Sequence, residues 1–151
     1  MKDKQLSVSA IKEGTVIDHI PAGSLFKVIS ILKLDELETM ITFGNSFESK
    51  QLGKKGIIKL SEVFFDTEDI NKIALVAPTA KLNIIRNYEV VEKMKVEIPD
   101  EVRGIIKCVN PICITNNEPA TTRFTVISKE HVKLKCHYCE KITSQENLYM
   151  V

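Results

Sequence analysis

Cys108-Val109-Asn110-Pro111-Ile112-Cys113 and Cys136-His137-Tyr138-Cys139 decide how the last third of this chain folds. They are C-x4-C and C-x2-C, separated by 22 residues, and they hold all 4 cysteines of the chain. Each pair can clasp one side of a tetrahedral metal, and zinc favours a four-sulfur set. Four thiolates fill every position and leave none open for water, which predicts one structural rather than catalytic Zn2+. Two disulfides are the competing reading and would require an oxidising compartment. The N-terminal stretch MKDKQLSVSAIKEG has no apolar run long enough for a signal peptide, and no segment is apolar enough to span a membrane. A cytoplasmic protein is expected.

The 151 residues carry a net charge of +1 and are 44% hydrophobic, room for one medium domain or two small ones. Residues 1–100 hold 14 basic and 15 acidic groups, and residues 101–151 hold 7 and 5. Neither part has the basic excess of a non-specific nucleic-acid binder. Glu97-Ile98-Pro99-Asp100-Glu101 is a polar, proline-containing junction that divides the chain into 1–98 and 99–151. The second part is too short for a generous apolar core, and metal binding would supplement it. Residues 123–127 and 132–135 alternate like a hairpin, and the tail 147–151 could add a strand. A zinc-ribbon-like β domain is expected there.

In the first part, Leu6, Val8 and Ala10 alternate with serines as in a half-buried strand, and residues 16–20 resume an extended run. Pro21 suits the first turn of a helix whose apolar face is Leu25, Val28, Ile29 and Leu32, ending near Leu34. Residues 40–44 read as a strand, 45–55 as a polar loop and 56–65 as another strand. Thr67 is a candidate cap for a helix burying Ile70, Ile73 and Ala74, which Pro78 stops. Two strands follow, 81–85 and 88–96. The order is that of an α+β ferredoxin-like sandwich with one extra strand: an antiparallel sheet with two helices on one face.

Catalytic signatures are missing. There is no phosphate-binding glycine loop and no nucleophile elbow, and the cysteines are better explained as ligands. Asp18 and His19 could form an acid–base pair, but neighbours on a regular strand point to opposite faces. His137 reads as a solvated neighbour of the cysteines. Asp18, His19, Lys59, Asn83 and Lys93 lie on segments that this fold can bring together; the plainer reading is polar residues on solvated strand edges. Three functions remain on these grounds: a non-catalytic binding protein, a zinc-ribbon adaptor for nucleic acid and, third, a zinc enzyme, which would need an exchangeable metal ligand. The adaptor lacks aromatic residues interleaved with the ribbon's lysines.

Three segments carry a family likeness: Gly14-Thr15-Val16-Ile17-Asp18-His19-Ile20-Pro21-Ala22, Asn87-Tyr88-Glu89-Val90-Val91, and Leu134-Lys135-Cys136-His137-Tyr138-Cys139-Glu140-Lys141. They resemble the regulatory chain of aspartate carbamoyltransferase over essentially the whole length, with the four cysteines in order. The resemblance implies a non-catalytic subunit of pyrimidine biosynthesis, dimeric, whose zinc domain docks on trimers of a separate catalytic chain. It implies that residues 1–98 form an allosteric domain binding CTP or ATP, with UTP alongside CTP. Val8, Ala10, Ile11, Asp18, His19, Lys59, Asn83, Ile85, Tyr88, Val90 and Lys93 would line its nucleotide site, with Lys59 and Lys93 on phosphate or ribose and Lys55 a contact with a second nucleotide or with its triphosphate. Glu92, beside Lys93, is an acidic neighbour that would weaken attraction to a triphosphate. Asn110, Asn116, Glu118 and Glu140 are the candidate docking contacts, and the edge near residues 40–43 the candidate dimer contact.

Overall fold

The computed structural model describes residues 11–49 and 53–151. It divides into two compact units, Met1–Glu97 and Ile98–Val151. In the first, β1 (Gly14–Pro21), α1 (Leu25–Ile31), β2 (Ile41–Ser49), β3 (Gly53–Ser61), α2 (Thr67–Ile73), β4 (Lys81–Arg86) and β5 (Glu89–Lys95) follow in sequence. The sheet order is β2-β3-β1-β4-β5, with every neighbouring pair antiparallel. This is the expected α+β arrangement with the extra strand at an edge. The expected strand at residues 6–10 lies outside the described residues.

Period-two alternation sorts the two faces of the sheet. Ile17, Ile58, Leu60 and Leu82 are buried, as are Leu25, Val28 and Ile31 of α1 and Ile70 and Ile73 of α2. Gly56 lets α1 approach closely: a Cβ there would stand 3.0 Å from Leu25 Cδ1. Several local expectations are corrected. Pro21 ends β1 in extended conformation (φ −55°, ψ 135°) and precedes a 3-10 turn, Ala22–Ser24, instead of opening the helix. α1 stops at Ile31 because Lys33 turns left-handed at φ 54°, and Leu34 is buried from a separate 3-10 turn. Of the supposed loop at 45–55, residues 45–49 and 53–55 are paired strand: β2 runs to Ser49 and β3 starts at Gly53, with a register shift between Gly44 and Phe47. Its polar composition reflects an edge, not irregular backbone. β3 ends at Ser61, short of 65, and the cap of α2 is Asp66, whose Oδ1 accepts from Asp69 N–H at 2.9 Å.

The second unit is a four-stranded antiparallel sheet, β6 (Glu101–Arg103), β7 (Arg123–Ser128), β8 (Lys133–Cys136) and β9 (Ile142–Ser144), in that order. Phe124, Ile106, Leu134, Val102, Val132 and Leu148 are among its buried apolar residues. The expected tail strand is reduced to one bridge, Ile106 with Met150, and the third ribbon strand is β9 instead.

Gly14 is the backbone position that tolerates least. Its φ is +144°, and a Cβ would lie 2.0 Å from the Leu60 carbonyl oxygen. Gly14→Ala is expected to destabilise the first unit by about 3 kcal/mol, against about 1 kcal/mol for Asp66→Ala at the cap. Urea unfolding of the whole chain checks both; a Gly14→Ala protein as stable as wild type contradicts the close approach of β1 and β3.

Candidate functional site

The four cysteines converge. Cys108 and Cys113 flank a turn in which Asn110 carbonyl accepts from Cys113 N–H at 3.0 Å. Cys136 ends β8, and its carbonyl accepts from Glu140 N–H at 3.0 Å across a tight turn that carries Cys139. Their sulfurs all lie within 4.8 Å of one another, with Cys108–Cys139 at 3.6 Å and Cys113–Cys136 at 3.7 Å. A tetrahedral centre with metal–sulfur bonds of about 2.3 Å separates its sulfurs by about 3.8 Å, so the donor set fits one metal ion. All four are free thiols rather than disulfides. Burial pushes the Cys108 thiol up to about 12 and raises Cys136 as well. Burial also opposes ionisation of Cys139, but N–H and side-chain donors from Lys141 and Asn110, with the neighbouring thiols, bring it down to about 7. Such a cluster ionises completely only around a cation.

The loops are held from within. Asn116 Nδ2 donates to the carbonyls of Cys108 (2.9 Å) and Asn110 (2.7 Å), and Asn117 Nδ2 to those of Cys113 (2.9 Å) and Pro111 (3.0 Å). Asn116, read from sequence as a docking residue, therefore spends its amide donors on the metal loop. His137 is exposed and stacks edge-on with Tyr138 at 5.2 Å, outside the sulfur group.

A second site lies on the face of the first sheet opposite the helices. Register places Lys59 of β3 opposite Val16 of β1, Val16 opposite Asn83 of β4, and Asn83 opposite Lys93 of β5. Directly opposed residues share a face, so these side chains form one row. The next row is Asp18, Lys81 and Lys95. Asp18, His19, Lys81, Asn83, Lys93, Met94 and Lys95 line a cleft of about 390 Å³, within the range of small-molecule sites. In the other direction the face becomes apolar: Gly14 pairs with Ile85 and Ile85 with Val90. Ile85 and Lys81 are about 14 Å apart along β4. Ile11 is half-buried just before this end, and Tyr88 N–H donates to Lys12 carbonyl at 3.0 Å. Tyr88 and Asn87 are both left-handed (φ 67° and 52°), the hairpin geometry that turns β4 into β5. Glu13 anchors that turn: it accepts from Asn87 N–H at 2.8 Å and from Arg86 at 3.2 Å, contacts that hold its carboxyl below the usual range.

Asp18 and His19 do share a site, contrary to the alternation argument. The register of β1 with β3 slips between Ile17 and Ile20, and His19 adopts φ 59°. This bulge re-aims His19, which lines the cleft beside Asp18. Asp18 Oδ1 accepts from His19 N–H at 2.6 Å, and His19 Nδ1 is 3.6 Å from the carboxylate. Burial lowers the His19 pKa, with the Asp18 charge opposing. Burial likewise lowers the Lys59 pKa, an ammonium position that an anionic ligand would favour. Lys55 Nζ contacts Asp18 at 2.9 Å. Glu92 alternates with Lys93 on β5 and falls on the opposite face, so its acidity is not aimed at the cleft. Val8 and Ala10 lie outside the described residues. Sequence reasoning overlooked Lys81 and Lys95; the signal was their parity with Asn83 and Lys93 on the two strands.

Comparison with known proteins covers both units. Residues 6–97 match the family model "Aspartate carbamoyltransferase regulatory chain, allosteric domain", and residues 100–149 match "Aspartate carbamoyltransferase regulatory chain, metal binding domain". The chain is 60% identical over 146 residues to the aspartate carbamoyltransferase regulatory chain of Phocaeicola vulgatus, covering 97% of this chain and 94% of the relative. It is 56% identical to that of Bacteroides fragilis (97% and 95% covered) and 56% identical to that of Pyrococcus horikoshii (95% and 96%). The chain therefore belongs to the family of aspartate carbamoyltransferase regulatory chains, non-catalytic subunits that join an allosteric domain to a metal-binding domain.

Proposed function

We propose that the unit spanning 1–98 binds the nucleotide effectors CTP and ATP, with UTP acting alongside CTP, and that the unit spanning 99–151 docks on catalytic trimers. The chain then serves pyrimidine biosynthesis in the cytoplasm by biasing a catalytic partner, with no chemistry of its own. The observation that carries this reading is the polarity of the open sheet face. An apolar end at Ile85 and Val90 suits a base ring, Asn83 and backbone groups offer hydrogen bonds, and Lys59 and Lys93 suit phosphate. An effector acts only through unequal affinity for two states of the complex, so the site needs specificity rather than reactive groups.

The metal we assign is one structural Zn2+. Four sulfurs at tetrahedral spacing favour it and leave no exchangeable position. When bound, it neutralises the thiolates and cross-links two loops of a unit with a small core. Cys108, Cys113, Cys136 and Cys139 hold it, while the Asn116 and Asn117 amides fix the loop carbonyls around it.

A homodimer through the outer strand of the first sheet completes the reading. β2 is an edge strand, and beside it Phe26 (65% exposed), Met40 (75%) and Phe43 (50%) are large apolar residues facing solvent. Phe26 and Phe43 already meet edge-on at 6.1 Å. An unpaired strand bordered by such a patch invites pairing with a second copy.

Three outcomes test these assignments. Lys59→Ala is expected to weaken CTP binding about tenfold, the loss of one charge-assisted hydrogen bond, while zinc stays bound. Calorimetric titration with unchanged affinity would remove Lys59 from the site. Cys113→Ser is expected to release zinc and abolish assembly with catalytic trimers, and an intact complex on size-exclusion chromatography rejects that link. Phe43→Glu is expected to shift the isolated chain toward monomer in sedimentation velocity; an unchanged dimer places the contact elsewhere.

A further inference from the structure

The hairpin tip between β4 and β5 is tied down more firmly than a turn of its kind requires. In a two-residue hairpin the flanking pair, here Arg86 and Glu89, closes the ladder, and the N–H groups of the two tip residues are left to water. Here the segment before β1 takes both. Asn87 N–H donates to Glu13 Oε2 at 2.8 Å, and Tyr88 N–H donates to the Lys12 carbonyl at 3.0 Å. Glu13 Oε1 accepts from Arg86 Nη1 at 3.2 Å, and that guanidinium lies 4.0 Å over the Phe64 ring. Glu13 is itself held by its main chain, its carbonyl accepting from Glu62 N–H at 2.8 Å. One residue thus joins the start of β1, the segment after β3 and the β4–β5 tip. Fold stability does not account for the arrangement. Tyr88 is 66% exposed, a bulky side chain at φ 67°, where an Asn-Gly tip would close the same hairpin without strain. The Glu13–Arg86 pair is partly exposed, where an ion pair adds little.

We propose that Glu13 is a positioning residue for base discrimination: it clamps the Asn87–Tyr88 tip against residues 11–12 and so fixes the border of the apolar end of the open face. This rests on the reading of that face as a nucleotide site, and it adds a residue that acts through the tip rather than by touching the ligand. The apolar end is formed by Ile85 and Val90, the pair next to the one that closes the hairpin. The tip has two points of attachment to the segment before β1, one through the Glu13 side chain and one through the Lys12 carbonyl. Two attachments fix an orientation that one leaves free to pivot. Removing the Glu13 carboxylate leaves the Lys12 bond alone and frees Arg86 as well. A border that moves must be ordered when a base arrives, and that ordering subtracts from affinity. The lysine end of the face is about 14 Å away along β4, so groups bound there do not depend on the tip.

The test titrates CTP, ATP and inorganic tripolyphosphate into the full zinc-loaded chain, comparing wild type with Glu13→Ala, Glu13→Gln and Arg86→Ala. Amide hydrogen exchange at Asn87 and Tyr88, read by NMR without ligand, reports the clamp directly, and circular dichroism confirms folding. Glu13→Ala is expected to speed exchange at both amides and to weaken CTP and ATP about tenfold, with tripolyphosphate unchanged within about twofold. Glu13→Gln keeps a side-chain oxygen for Asn87 N–H and should restore slow exchange and most of the nucleotide affinity. Arg86→Ala leaves both N–H bonds in place and should cost less than Glu13→Ala. Nucleotide affinities unchanged in Glu13→Ala, in a protein whose wild type prefers nucleotides to tripolyphosphate, overturn the positioning role and leave the nucleotide site standing. An equal loss of tripolyphosphate and CTP also overturns it, because that is general destabilisation of the unit. Wild-type protein that does not distinguish nucleotides from tripolyphosphate overturns the nucleotide reading, and the positioning role with it.

Discussion

Two-residue periodicity across five antiparallel strands is the constraint on which the first unit depends. Ile17, Ile58, Leu60 and Leu82 must all face the helices, because that burial supplies the driving force for the unit. Once they do, Val16, Asp18, Lys59, Asn83 and Lys93 have no choice of side. A slip of one residue would bury the lysines and expose the isoleucines, so register and site are specified together. The lysine-bearing open face is thus a by-product of core formation, and the core cannot be altered without moving it.

Regularity is broken at the places where the site needs it. The slip at His19 turns a side chain that a straight strand would aim at the core toward Asp18. Left-handed Asn87 and Tyr88 tighten the turn at the apolar end, where Glu13 ties it to the start of β1. Such residues persist only where the surroundings over-determine them. Here the over-determination comes from the segments flanking the strands: Thr79 Oγ1, in the turn before β4, donates to the His19 carbonyl at 2.9 Å, and the carbonyl of Lys12, just before β1, receives Tyr88 N–H.

The second unit solves a different problem. Its short strands bury few large side chains, with Phe124 the largest fully buried one. Four sulfurs held at 3.6–3.7 Å in the shortest pairs cannot all ionise without a cation, and with one they become a cross-link between a long loop and the β8–β9 turn. In a unit with so small a core, metal binding adds directly to the folding free energy. The asparagines of the intervening loop serve that event before any partner is met.

The sequence by itself determined the elements whose signal is local or chemical. Cysteine spacing announced the metal centre, alternation and apolar periodicity announced both helices and most strands, and the run around Gly14–Pro21 announced the family. It misjudged residues 45–49 and 53–55, because the polar composition of paired strands near an edge resembles that of a loop until the partner strand is seen. It also separated Asp18 from His19, because a bulge is a relation between two strands and has no local signature here. Only the tertiary structure decided which lysines share a face with Asn83. Lys81 and Lys95 are unremarkable in the chain, and they become a pair through the β4–β5 register, which long-range hydrogen bonding sets and no single segment encodes.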